Sequence, residues 1–289
     1  MAKRQLTAAE AFDLRQALHV ATLDALMASR RWAPGDLIFQ GGTSLHLTHG
    51  SPRYSEDLDF LVNSSLKLDA ISAAIQARLT GTAWLPPDTS LSVSKAKDGR
   101  NPHAFVVAIG GPDVIGAVRV KVELWQTNQK AMSALKAVVA PVRLARGPAA
   151  GMQTFVPTAD LSEIHADKVF ALAARPYLKP RDVFDLHWLA AHAGLRNCST
   201  DDMRVRLATY PNEAPEAWLE KAYARRQELQ SAIPAITREL KRWLPSSWPL
   251  DEASVKAMVD AALAALEQGI GLMREIAAER KDGHEHPSP

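Results

Sequence analysis

Asp57 and Asp59 stand two residues apart in the run Asp57-Leu58-Asp59-Phe60. On a β-strand that spacing turns both carboxylates to one face and sends Leu58 and Phe60 into a core on the other. Two carboxylates so close repel by about 4 kcal/mol at an effective dielectric near 20. A divalent cation such as Mg2+ reverses that sign. Upstream lies Gly41-Gly42-Thr43-Ser44. Two residues without β-carbons let a backbone approach a phosphate closely, and their amides can line an anion-binding nest. Thr43 and Ser44 add hydroxyls at the start of a short helix, whose N-terminus also favours negative charge. The plainer reading is a helix start with an N-cap hydroxyl, and the two readings are compatible.

The elements that must carry these residues can be read from pattern. Thr7-Ala-Ala-Glu10 is a capping box opening a helix to about Arg31. Pro34-Gly35 breaks it, and Leu37-Ile38-Phe39 forms a short strand into the glycine turn. Residues 66–79 are expected to be helical, with Leu68, Ile71, Ile75 and Leu79 at helical spacing, and Pro86-Pro87 ends that segment. Strands follow over Leu91–Lys95, His103–Ile109 and Ala117–Leu124, with turns at Asp98-Gly99 and Gly110-Gly111-Pro112. In the last strand Arg119, Lys121 and Glu123 alternate with Val118, Val120 and Val122. One face is therefore buried and the other polar, which makes Glu123 the candidate third carboxylate. Its competing reading is a solvated residue paired with Lys121 or Arg119.

Ala140–Val156, with two prolines and two glycines, reads as a linker between lobes. Beyond Thr158 the pattern is helical, over about 159–175, 180–194, 201–209, 214–229, 231–244 and 251–280, with Pro180 at a helix start where its missing N–H costs nothing. The expected organisation is residues 1–150, then a helical domain over 151–281, then a polar, disordered tail over 282–289. His284 and His286 in that tail make a poor metal site. His165 and Lys168 lie one turn apart and share a helix face, as do Asp182 and Asp185 on the next helix. On spacing alone Lys168 and Asp182 form an inter-helix ion pair. His165, His187 and His192 read as packing or polar-face residues, and Trp188, Trp218, Trp243 and Trp248 as core or interface.

Two blocks together resemble a known family. Gly41-Gly42-Thr43-Ser44-Leu45 followed by Arg53-Tyr54-Ser55-Glu56-Asp57-Leu58-Asp59, and then Lys168-Val-Phe-Ala-Leu172 followed by Arg181-Asp182-Val-Phe-Asp185-Leu186, are similar to the signatures of AbiEii toxins. These belong to the polymerase-beta-like nucleotidyltransferases. The blocks frame roughly residues 36–190. The Thr43-to-Asp57 gap is a few residues longer than in minimal members, so 45–55 is expected to hold a helix plus a loop. The resemblance implies an α+β fold: a mixed sheet flanked by helices, then a helical lobe. It implies a nucleoside triphosphate as substrate, with Mg2+ or Mn2+ held by Asp57, Asp59 and Glu123. Gly41, Gly42, Thr43 or Ser44, Arg53 and Lys168 would handle the triphosphate, and Asp182 would order the site or the acceptor. It further implies a cytoplasmic toxin of an abortive-infection type, checked by a separately encoded antitoxin and acting on RNA, the tRNA 3′ end among the candidates, or on protein. Two rivals stand beside it. One is a catalytically silent module on the same fold that binds nucleotide or RNA. The other is a phosphotransferase moving the gamma phosphate.

Composition sets bounds. At 289 residues, with 47% hydrophobic and 23% charged, the chain can bury a sizeable core. The net charge of +2 is uninformative, but residues 1–150 hold 17 Lys and Arg against 12 Asp and Glu, and the remainder 17 against 20. A basic first half suits a nucleotide or RNA, and a surface accident produces the same skew. Cys198 is the one cysteine, so no intramolecular disulfide forms and a reducing compartment fits. Charges inside the first amphipathic stretch argue against a signal peptide, and no 18-residue apolar run suggests a membrane span.

Overall fold

The computed structural model describes residues 3–94, 100–144, 146–192, 195, 197–210 and 213–285. The chain divides into two compact units. The first comprises Met1–Gly50, Ser55–Ser133 and Ala137–Ala159, and the second Ser51–Tyr54, Ala134–Lys136 and Asp160–Pro289.

In chain order the first unit runs β1 (Arg4–Gln5), α1 (Ala8–Ala28), β2 (Leu37–Gln40), α2 (Gly41–His49), β3 (Leu58–Asn63), α3 (Ile71–Leu79), β4 (Ser90–Val93), β5 (His103–Gly110), β6 (Val114–Ile115), β7 (Val118–Thr127), α4 (Gln129–Ala134), β8 (Ala137–Arg143) and β9 (Gln153–Ala159). Seven strands form one sheet in the order β4-β5-β7-β3-β2-β9-β8, and β1 pairs with β6 apart from it. The sheet is mixed: β3 runs parallel to β7 and β2 to β9, while the other neighbours are antiparallel. Mixed pairing follows from the order of elements, because parallel neighbours need a long crossover.

The buried side of the sheet is built from the alternate residues that the sequence marks as apolar. Leu58, Phe60 and Val62 on β3 and Val118, Val120, Val122 and Leu124 on β7 join Leu37 and Phe39 in one core. Across it lies α1, contributing Leu14, Leu18, Leu23 and Leu26. Its start is fixed by the expected capping box: Glu10 N–H donates to Thr7 Oγ1 at 3.2 Å and Thr7 N–H donates to Glu10 Oε2 at 2.9 Å. Such a cap contributes about 1 kcal/mol.

The linker expected over Ala140–Val156 is instead the end of β8 and the start of β9 with the connection between them. β8 and β9 pair in antiparallel register, with Pro141 opposite Phe155. Pro141 is tolerated because β8 is an edge strand, where a missing N–H removes no ladder bond. The chain accordingly passes from sheet to helices after Ala159 rather than near residue 150. The second expected helix is also shorter, since residues 66–70 lead into α3 rather than forming part of it. Lys95 and the turn expected at Asp98-Gly99 lie outside the described residues.

The second unit holds α5 (Leu161–Ala174), α6 (Pro180–Ala190), α7 (Thr200–Thr209), α8 (Pro215–Ser231), α9 (Ile233–Leu240) and α10 (Glu252–Glu285). Asp160 caps α5 by accepting from Glu163 N–H at 2.8 Å. Pro180 opens α6, as expected. Trp218 is fully buried, stacks on Phe170 and donates its Nε1–H to Phe170 O at 2.9 Å. Trp248 meets Phe184 edge-on. Helix α10 continues to Glu285, so the first part of the expected tail is helical, and residues 286–289 lie outside the described residues. Among the described residues no helix is long and apolar enough to cross a membrane.

Candidate active site

Strand pairing brings the acids of the first unit together. β3 and β7 lie in parallel register with Asp59 opposite Glu123, and β2 places Gln40 opposite Asp59 on the other side. Cross-strand partners share a face about 4.8 Å apart. Gln40, Asp59, Glu123 and Ala104 therefore form one row across four strands. Asp57 sits one residue ahead of β3 and, like Asp59, is half-buried.

The glycine turn is fitted to this row. Gly41 has φ +79°, and a β-carbon there would stand 2.7 Å from Asp59 Oδ2. Only glycine combines that left-handed backbone with so close a carboxylate. Helix α2 starts at this residue without a side-chain cap on its first turn. Its leading amides are therefore not consumed by an N-cap side chain.

Both turn hydroxyls point inward and are fully buried. Thr43 Oγ1 donates to the backbone carbonyl of Asp57. Ser44 Oγ lies 2.5 Å from Thr158 Oγ1, which donates its own proton to Phe39 O at 3.1 Å. Ser44 is consequently the donor in the first of these bonds. The two hydroxyls brace the turn against the Asp57 loop and the sheet.

A second brace lies under the loop. His19 on α1 is fully buried, and its Nε2–H donates to Glu56 O at 2.9 Å, one residue before Asp57. Burial pushes its pKa down to about 4 from 6.5, so the ring is neutral near pH 7. Arg15 pairs with the Glu56 carboxylate at 2.9 Å, fixing the same residue from outside. The unfolded chain takes up a proton on His19 below about 6.5, whereas the folded chain resists until about 4. This stability is present above 6.5 and is lost as pH falls toward 4, by about 3 kcal/mol in total. Urea unfolding at pH 7 and pH 4 is expected to show that His19→Asn removes this part of the pH dependence. An unchanged slope in the variant would contradict it.

Lys121, on the same face of β7, holds Glu123 Oε1 at 2.6 Å. Its pKa is raised, first by the Glu123 hydrogen bond and further by the charges of Glu123, Asp57 and Asp59. Oxygen donors of this kind suit a hard divalent cation. Among the described residues, however, no three His, Cys, Asp or Glu side chains stand as a ready cage for one.

The remaining sequence candidates belong to the second unit. Arg53 is 2% exposed, and its Nε and Nη2 donate to the two oxygens of Asp185 at 2.6 and 2.8 Å. Lys168 Nζ bridges Asp182 at 2.7 Å and Asp185 at 2.8 Å, and Arg175 also pairs with Asp182. The ion pair read from spacing is therefore present, enlarged by Arg53, Arg175 and Asp185. Burial tends to raise the Asp185 carboxyl, but Arg53 and Lys168 beside it hold it at about 2. Burial, with help from Arg53 and Arg175, lowers the Lys168 pKa. Sequence reasoning missed Asp185 as the partner of Arg53, because nothing local links residues 132 apart. His165 is buried and its pKa is lowered by that burial, in keeping with a packing residue. Arg181 lies over the Trp243 ring at 4.4 Å.

Comparison with known proteins bears on the fold and the family. The fold is similar to JHP933 from Helicobacter pylori, at 18% identity and TM-score 0.51, covering 95% of this chain and 99% of that one. It is also similar to MenT4, the nucleotidyltransferase toxin Rv2826c from Mycobacterium tuberculosis H37Rv, at 17% identity and TM-score 0.55, covering 90% and 85%. No curated protein matches the chain. The family model described as "Nucleotidyl transferase AbiEii toxin, Type IV TA system" matches residues 25–264. The chain belongs to the AbiEii family of nucleotidyltransferase toxins of type IV toxin–antitoxin systems.

Proposed function

We propose that this nucleotidyltransferase moves a nucleoside monophosphate from a triphosphate onto an RNA hydroxyl, with the tRNA 3′ end the first acceptor to test, and that Mg2+ supports the transfer. The observation that carries the reading is the register of Asp59 with Glu123 beside Gly41. It gathers acids and a close-approach backbone turn on one sheet face. Phosphate oxygens accept from the leading amides of α2, favoured by the helix N-terminus. Thr43 and Ser44 hold that turn and the Asp57 loop in place through their buried hydrogen bonds. Asp57, Asp59 and Glu123 would offer oxygen ligands to a divalent cation, which would supply charge neutralisation for the phosphates. The acceptor hydroxyl gives up its proton to water as its oxygen bonds to the alpha phosphorus in line and the bond to the bridging oxygen breaks, releasing pyrophosphate.

In the helical unit, family resemblance assigns Lys168 to phosphate and Asp182 to ordering the site. The buried cluster supports a phosphate role, since Arg53, Lys168 and Arg175 outnumber Asp182 and Asp185 among the described residues. Arg53 then acts through Asp185 rather than on the triphosphate directly. As the family description implies, an antitoxin is encoded separately. Growth arrest in an abortive-infection response is the biological output of this reading.

Purified protein with Mg2+ is expected to move label from an alpha-labelled triphosphate, and not from a gamma-labelled one, onto cellular RNA. Gamma label alone would make the protein a kinase. Label on protein and not RNA would reassign the acceptor. No transfer from any of the four triphosphates to either acceptor class would leave a binding module.

A further inference from the structure

The brace under the Asp57 loop does not end at His19. Gln16 stands three residues before His19 on α1, so the two share a helix face. Its amide reaches two rings, with 2.9 Å between Gln16 Nε2 and His46 Nε2 and 3.4 Å between Gln16 Oε1 and His19 Nδ1. His46 lies on α2, the helix that Gly41 opens. One half-buried glutamine thus joins that helix to the ring that holds Glu56 O, next to Asp57.

Counting donors and acceptors fixes the protons along this chain. Glu56 O can only accept, so His19 Nε2 carries the ring's hydrogen. The ring is neutral near pH 7, which leaves Nδ1 with a bare lone pair. Nδ1 therefore needs a donor, yet Gln16 Oε1 facing it is another acceptor. A half-turn of the amide keeps its shape and exchanges the two atoms. Gln16 Nε2–H then donates to His19 Nδ1, and Gln16 Oε1 accepts from His46 Nε2–H. The donors now run in one direction, from α2 through α1 to the backbone beside Asp57. A satisfied network of this kind specifies one arrangement of its members.

Thr43 already ties the start of α2 to Asp57 O. One tie leaves a pivot, and a second through His46 fixes the helix about it. We propose that Gln16 is a positioning residue for nucleotidyl transfer: its amide, donating to His19 and accepting from His46, holds α2 in a fixed relation to the Asp57 loop. The leading amides of α2 and the Asp57 carboxylate serve the same triphosphate, so their relative placement sets the rate. This inference rests on the proposed active site and adds a residue that touches no substrate.

Two measurements on the full chain test it. Nitrogen NMR of protein labelled in its histidine rings, assigned with His19→Asn and His46→Gln, is expected at pH 7 to find hydrogen on Nε2 of both rings and none on Nδ1 of His19. A bare Nε2 on His46 overturns the chain. Transfer of alpha label supplies the second measurement. Gln16→Met keeps the length of the side chain without its amide, and is expected to lower kcat about tenfold while KM for the triphosphate moves less than about threefold. His46→Leu is expected to do the same. His46→Gln, whose amide nitrogen can stand in for Nε2, is expected to stay within about threefold of the wild type. Rates are taken per folded molecule, with melting curves as the check, so lost stability alone moves neither constant. Wild-type kcat in Gln16→Met, or a His46→Gln variant as slow as His46→Leu, overturns the positioning role and leaves the proposed transferase standing. A wild type that transfers no label removes the proposed function and the positioning role with it, while the nitrogen spectra still decide whether the chain exists.

Discussion

Asp59→Asn is expected to lower nucleotidyl transfer by roughly a thousandfold or more, about 4 kcal/mol in the barrier, while leaving the protein folded. Asparagine has the shape of aspartate, so the packing of its side-chain tip over Gly41 is kept. The backbone pairing of residue 59 with Gln40 and Glu123 does not involve the side chain and is also kept. What disappears is one unit of negative charge from a patch that already carries Asp57 and Glu123. Like charges opposed on neighbouring strands are destabilising, so the melting temperature is expected to hold or rise slightly. Loss of transfer with an unchanged or higher melting temperature distinguishes a functional carboxylate from a structural one. A variant that transfers at the wild-type rate would remove Asp59 from the chemistry. One that fails to fold would make its role structural.

Much of this site was legible because it is built from local pattern. The alternation over Val118–Glu123 identified the polar face of β7, and Asp57-Leu58-Asp59-Phe60 did the same for the start of β3. Side-chain period fixes face, and face is what the acids need. The capping box at Thr7 and the proline at 180 placed two helix starts for equally local reasons. The misreadings arose where position in the sheet overrides composition. Pro141, Gly147, Pro148 and Gly151 look like a linker, yet an edge strand accepts a proline and the glycines fall between β8 and β9. The inward turn of Thr43 and Ser44 was equally hidden, because their partners, Asp57 O and Thr158, come from distant segments. The same holds for Ser51–Tyr54, which belongs to the helical unit although the residues on either side belong to the first unit. Arg53 sits in a motif beside the acids, but its partner Asp185 comes from α6.

That buried pair carries the other large effect. Asp185→Asn is expected to cost about 3–5 kcal/mol of stability, whereas Lys168→Met is expected to cost clearly less. The difference follows from the composition of the cluster. Among the described residues Arg53, Lys168 and Arg175 face Asp182 and Asp185, an excess of one positive charge. Asp185 is fully buried and accepts both arms of the Arg53 guanidinium as well as the Lys168 ammonium. An amide there opposes an NH2 donor to those cations and raises the excess to two. Removing Lys168 instead lowers the excess to zero and leaves each carboxylate with an arginine. Methionine fills most of the lysine stem's volume, so the remaining loss is two charge-assisted hydrogen bonds already offset by relieved repulsion. Urea unfolding at pH 7 reads both costs directly. If Lys168→Met proves as damaging as Asp185→Asn, the lysine is a structural cross-link and its charge is not in surplus. If it unfolds with a small loss but transfers poorly, with the deficit in KM for the triphosphate, the surplus charge is the one available to phosphate.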